Sequence, residues 1–222
     1  MKYLHILIIV CLSVAFTISS HASEIENMLV GAYREIDNET KYNTQMPKKY
    51  FPPTYKNGKN TGKPVYPGGD VNPEEGICAD LVVRALRNAG VDLQELVHLD
   101  ILPNKEMYGV NIPDKYIDQR RVWILKTYFK RKWKSLPKKL TSSADWQPGD
   151  VVIWDIGSKE HLHIGIVGKK KRRDGFPYVI HNMRYVPFLF AGKTVEQDIL
   201  EGPEILWISV GNWKIIGHYR MR

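Results

Sequence analysis

Glu74-Glu75-Gly76-Ile77-Cys78-Ala79-Asp80-Leu81-Val82-Val83-Arg84-Ala85-Leu86-Arg87-Asn88-Ala89-Gly90 decides how this chain reads. Turn and cap residues open it. Leu81, Val82, Ala85, Leu86 and Ala89 then recur at helical spacing, so a helix begins at Cys78 and buries one face. Gly90 is its natural stop, because glycine takes the left-handed conformation that closes a helix. A cysteine is thereby set in the first turn, where backbone N–H groups and the helix dipole favour an anion.

Working outward, residues 1–22 read as a signal peptide. Met1-Lys2 supplies a positive start, and the apolar run from Leu4 to Ile18 is too short to span a bilayer with ease. Ser20-His21-Ala22 is a small-x-small cleavage site. Cys11 lies inside the apolar run, without a small-residue lipobox before it, and leaves with it. Cys78 is then the one cysteine of the mature chain, which excludes an internal disulfide. A buried inert thiol, a metal ligand, an intermolecular bridge and a nucleophile stay open.

The mature chain of about 200 residues suits one domain carrying an N-terminal arm. With 43% hydrophobic and 25% charged residues it is composed as a soluble globular protein, and no second apolar run is long enough for a stable membrane span. The formal charge of +8 becomes +7 without Lys2. That excess fits an acidic cell-envelope polymer or lipid headgroups, while export argues against nucleic acid. Solubility alone would account for it equally well.

Residues 23–65 form a helix and an extended arm, and 66–222 the main domain. Ile25, Met28, Leu29, Ala32 and Ile36 make one helical stripe, and residues 38–73 are rich in Lys, Asn, Gly, Pro and Tyr. Leu93 to Pro113 reads as a mixed connection. A second long helix runs from Asp118 to Trp133, burying Val122, Leu125, Phe129 and Trp133; the cations at its end complement the dipole. Strands follow at Val151–Trp154, His163–Val167 and Tyr178–His181, with a charged turn containing Asp174-Gly175 between the last two. After an excursion from Asn182 to Pro203, Ile205–Val210 and Lys214–Tyr219 close the sheet. Helices first and a meander of strands later make an α+β domain, with N-terminal helices packed on an antiparallel sheet.

A thiol attacks a carbonyl as thiolate, so it needs a base to move its proton. His163 and His181 lie on strands joined by one turn, so antiparallel pairing can bring them together if the register agrees. Taken singly, a helix cysteine is more often a small core residue, and a strand histidine more often structural. Helix-start Cys78, strand His163 and next-strand His181 together favour nucleophilic catalysis. Asn182 faces opposite His181, and His161 shares a face with His163 nearer the loop.

These residues resemble a family. Tyr66-Pro67-Gly68-Gly69 and Gly76-Ile77-Cys78-Ala79-Asp80 are similar to the Tyr-x-Gly-Gly…Cys segment of NlpC-type cell-wall cysteine peptidases, which are compact papain-like domains. Pro148-Gly149-Asp150-Val151-Val152, His163-Ile164-Gly165-Ile166-Val167 and Val179-Ile180-His181-Asn182 resemble three of their strands. The nearest likeness is to an exported bacterial group, domain-of-unknown-function family 1287, continuing through Ile117-Asp118-Gln119-Arg120-Arg121 to Gly217-His218-Tyr219-Arg220. The resemblance implies Cys78 as nucleophile, His163 as general base and acid, and His181 as the orienting residue. It implies Tyr66 at the oxyanion. It also implies a periplasmic or secreted amide hydrolase acting on peptidoglycan stem peptides, a monomer that needs no cofactor. The chain departs from the family's Asp-Cys-Ser-Gly with Ile-Cys-Ala-Asp. Asp80 then either contacts a cationic substrate group or caps the helix, and the cap is favoured.

Three rivals remain. Cys78, His161, His163 and His181 could ligate zinc, though no acidic ligand or second cysteine accompanies them. A non-catalytic module could grip anionic glycan with Lys169-Lys170-Lys171-Arg172-Arg173 and the aromatic segment from Tyr185 to Phe190. The papain-like fold also hosts acyltransferases. His98 with Asp100, and Asp114 and Asp118 with Arg120 and Arg121, read as salt bridges or caps.

Overall fold

The computed structural model describes residues 22–46, 49, 51–158, 161–184, 192–201, 204–205, 208–209 and 213–222. The expected signal peptide, apart from Ala22, and the aromatic segment 185–190 lie outside them. So do the side chains of His161 and of residues 202–212.

Helix α1 spans 22–37 and buries Met28, Leu29 and Ala32. The arm after it is not plainly extended. β1 (Lys41–Tyr42) pairs in parallel with β4 (Glu75–Gly76), just before Cys78. β2 (Tyr55–Lys56) and β3 (Lys59–Asn60) form a hairpin. Its turn residues Asn57 and Gly58 both have positive φ, the conformation that a tight two-residue turn requires.

Helix α2 (Cys78–Asn88) buries Leu81, Val82, Ala85 and Leu86, as its spacing predicts. The mixed connection contains two further helices, α3 (Leu93–Ile101) and α4 (Lys105–Tyr108). Asp92 caps α3 by accepting from Gln94 N, and Leu93, Val97 and Ile101 form its buried stripe. The expected second long helix opens as a 3-10 turn, Asp118–Arg120, before α5 (Val122–Lys132).

Six strands make the main sheet. β5 is Lys134–Ser135, β6 Val151–Ser158, β7 His161–Lys171, β8 Pro177–Asn182, β9 Thr194–Gln197 and β12 Lys214–Arg220. Their order is β5-β12-β6-β7-β8-β9, antiparallel throughout. The short strands β10 (Glu204–Ile205) and β11 (Ile208–Ser209) pair apart from it. The fold is therefore α+β, with helices on an antiparallel sheet.

Strand alternation gives the sheet two buried faces. Val151, Ile153, Ile164, Ile166 and Ile180 lie in one core with α1, α2, α3 and α5. Val152, Trp154, Val167 and Val179 face the other way, into a smaller core with Trp146, Ile199 and Leu200. Among the described residues, no helix is long and apolar enough to cross a membrane.

Two buried ion-pair hubs fasten the helices. Arg84 of α2 reaches Glu35, Asp70 and the carbonyls of Asn72 and Glu75, locking α1 and the arm against α2. Arg120 reaches both carboxylate oxygens of Asp80, at 2.7 and 3.1 Å, and the carbonyl of Phe51. A third hub lies across the sheet. Asp150, from Pro148-Gly149-Asp150, accepts from His218 Nε2 at 2.9 Å and from Arg220 at 2.7 and 2.8 Å. His218 also stacks on Trp146, ring centroids 3.8 Å apart, and its Nδ1 lies 2.7 Å from Pro137 O. The terminal Gly-His-Tyr-Arg sequence is thus a clamp joining β12 to the start of β6.

Candidate active site

Cys78 begins α2 and is 8% exposed. Asp80 Oδ2 accepts from Ile77 N at 2.8 Å, so Asp80 closes the helix start. With Arg120 on the same carboxylate, Asp80 serves as a cap and an anchor; both oxygens are engaged within the fold.

The sulfur meets the sheet at β7. The sulfur lies near the backbone amides of Ala79 and Cys78 itself and, from β7, near that of Ile164, all of which favour its anion. The Ile164 amide is available for a local reason. The paired residues of β7 and β8 run from Ile166↔Ile180 to Lys171↔Pro177, with a register shift after Val167, and Ile164 lies beyond the Ile166 end. Burial nonetheless dominates, and pushes the thiol up to about 12. At neutral pH the resting group is a thiol.

His163 stands one residue from this amide. It lies opposite Trp154 and is 3% exposed, with its ring near Trp154 and Trp213. Its Nε2 lies 3.0 Å from His181 Nδ1, so the register does bring the two histidines together. Gly165 makes the approach possible. A Cβ there would meet Val179 Cγ1 at 2.7 Å, Ile180 O at 2.8 Å and His181 Cβ at 3.3 Å. His181 Nε2 in turn lies 3.0 Å from Gln197 Oε1 on β9. Burial holds His163 well below the ordinary histidine range and brings His181 down to about 4. Both imidazoles are neutral at pH 7.

The thiol and the imidazoles approach β7 from different sides. Ile164 belongs to the helix-covered core with Cys78, whereas His163 points to the Trp154 side. Among the described residues no hydrogen bond joins Cys78 to His163. The two are neighbours through Ile164, where the β7–β8 ladder opens.

Tyr66, expected at the oxyanion, has its ring among other side chains. Its ring packs edge-on against His98, centroids 5.5 Å apart, with Lys115 Nζ 5.2 Å from the ring centre. The tyrosine coupled to Cys78 is Tyr42, whose hydroxyl is raised first by burial and next by the Cys78 charge. Two-residue pairing of β1 with β4 sets Tyr42 beside Gly76. Short strands in a polar arm leave no periodicity to read, and Gln197 lies within the stretch read as an excursion from Asn182 to Pro203, so neither residue stood out in the sequence.

Several other polar groups singled out in the sequence have structural partners. Asp100 accepts from Tyr108, Arg131 and Lys132, and Asp118 from Arg121 and Asp114 N. In the basic turn, Lys169 pairs with Glu26, and Arg172 with Asp174, Asp198 and Glu201. Among the described residues, no group of three or more His, Cys, Asp or Glu side chains is placed to hold a metal ion. A cleft of about 760 Å³ is lined by Trp123, Lys126, Lys130, Leu162 and Ile216 among others, and not by Cys78, His163 or His181. Leu162 immediately precedes His163.

The sequence pattern described as Domain of unknown function (DUF1287) matches residues 31–221. The chain belongs to the DUF1287 family. It is 41% identical over 159 residues to "Uncharacterized protein YijF" of Escherichia coli (strain K12), covering 70% of this chain and 68% of that protein. No solved structure matches.

Proposed function

We propose that this DUF1287 protein is a papain-like, NlpC-type cysteine hydrolase, exported to the periplasm or beyond, that cleaves an amide bond in peptidoglycan stem peptides. One observation carries the reading. A helix-start thiol lies near the amide of the residue that follows a buried histidine, and that histidine is backed by a second one at 3.0 Å. Simple core packing does not call for two neutral imidazoles in contact. The family resemblance of the Cys78, His163 and His181 segments supplies the substrate class.

His163 removes the thiol proton as the Cys78 sulfur attacks the carbonyl carbon. Thiol and imidazole lie on different sides of β7 beside Ile164, and the transfer requires that substrate binding bring them together, as catalytic hydrogen bonds often tighten on binding. The carbon–nitrogen bond then breaks, and His163 returns the proton to the leaving amine. A thioester remains on Cys78. Water, deprotonated by His163, attacks it, the carbon–sulfur bond breaks, His163 returns that proton to the departing sulfur, and the acid leaves. N–H groups of the first turn of α2 receive the oxyanion, with the Tyr42 hydroxyl as a further donor beside the sulfur. The neutral resting pair makes His163 a general base acting during attack, in place of a preformed thiolate–imidazolium pair.

Digestion of purified peptidoglycan by wild type and by Cys78→Ala, with fragments identified by mass spectrometry, tests the reading. New fragments from wild type alone are expected. Equal fragment release by both proteins, or none from either, would overturn it.

A further inference from the structure

We propose that Gln197 is a positioning residue that sets the tautomers of both histidines, leaving His163 Nδ1 free to take a proton. This rests on the roles given above to Cys78 and His163.

Counting hydrogens along the chain gives the direction. Gln197 Oε1 only accepts, so His181 Nε2, 3.0 Å away, carries a hydrogen. A neutral imidazole has one N–H, so His181 Nδ1 presents a lone pair. His163 Nε2, 3.0 Å from it, must then be the donor. The lone pair of His163 is thereby confined to Nδ1. Both rings are kept neutral by burial, so the count applies at neutral pH.

The placement is built by the sheet. Val179 lies opposite Gln197 and His181 opposite Val195, so His181 and Gln197 share one face as diagonal neighbours. When the Cys78 proton moves to His163 Nδ1, His163 becomes imidazolium and keeps its Nε2–H on His181. His181 stays neutral, with its own hydrogen on Gln197. With the amide reversed, Gln197 would donate, every hydrogen in the chain would switch, and His163 Nδ1 would be blocked. The orientation of one amide therefore decides whether His163 can act as base. Tautomer choice through a neutral acceptor leaves the imidazolium without the extra stabilisation that a carboxylate would give.

Long-range proton–nitrogen correlation spectra of the ¹⁵N-histidine-labelled full protein near neutral pH test this directly. The expected wild-type pattern is unprotonated Nδ1 and protonated Nε2 on both His163 and His181. Protonated Nδ1 on His163 would overturn the proposal without any variant being made. Gln197→Leu should mix the tautomers of both rings and slow iodoacetamide alkylation of Cys78 by about tenfold or more, as expected for a misprotonated base. Gln197→Glu, which keeps an acceptor, should restore the wild-type tautomers. A Leu variant that folds and keeps the wild-type tautomers would also overturn the proposal. The predicted tautomers in a protein that releases no wall fragments would remove the hydrolase reading and leave the role of Gln197 standing.

Discussion

Two histidine clusters sit on the same sheet and are built oppositely. His218 is wedged between Asp150 and Pro137 O, with Arg220 on the same carboxylate and Trp146 stacked on the ring. His163 meets His181, which meets the neutral amide of Gln197. In the first cluster both ring nitrogens face oxygen acceptors, and the carboxylate is shared with Arg220. The second holds two neutral imidazoles, each with one N–H, and a neutral amide acceptor. Burial alone does not mark a functional histidine; what its nitrogens face does.

The largest expected effect breaks the comparison on the side of chemistry. Cys78→Ala should remove wall-fragment release by about a thousandfold or more, as loss of a nucleophile does, with little change in the thermal midpoint. Asp150→Ala should do the reverse. It strands His218 and Arg220, and should lower stability by about 3–5 kcal/mol in denaturant titrations, while activity per folded molecule is kept.

Acid separates the clusters by pH. Folded His181 titrates at about 4 against an ordinary 6.5, and His163 is also lowered. The unfolded chain binds those protons first, so stability is full above about 6.5 and falls by a few kcal/mol as pH drops toward 4. Asp150 is held below its ordinary 3.8 by Arg220 and His218, against the opposing effect of burial. Its contribution is lost only as pH falls further, through that lowered value. Unfolding free energy measured against pH should show two stages, and His181→Gln should reduce the first alone. Gly165→Ala gives the smallest effect. Its Cβ crowds Val179, Ile180 O and His181, for about 1–3 kcal/mol by urea titration, with a matching displacement of the His181 resonances.

Much of this was readable in the sequence because its cause was local. The apolar face of α2 and the strands around Val151, His163 and Tyr178 announce themselves by period, and Cys78 falls at a helix start for the same reason. The meeting of His163 and His181 followed from a short turn between them. α3 was obscured because His98 and Asp100 interrupt the Leu93, Val97, Ile101 stripe. Tyr42 and Gln197 depend on pairing between distant or very short strands, and no local pattern encodes that. Tyr66 drew attention by its neighbouring glycines, but its ring is held by His98 and Lys115.

The central claim is that His163 is the base for Cys78, although they approach β7 from different sides. Iodoacetamide alkylation of Cys78, followed by intact mass across pH 5 to 9 in wild type and His163→Ala, tests it most directly. Wild type should react about tenfold faster or more near neutral pH. Equal rates in the two proteins at every pH would contradict the account.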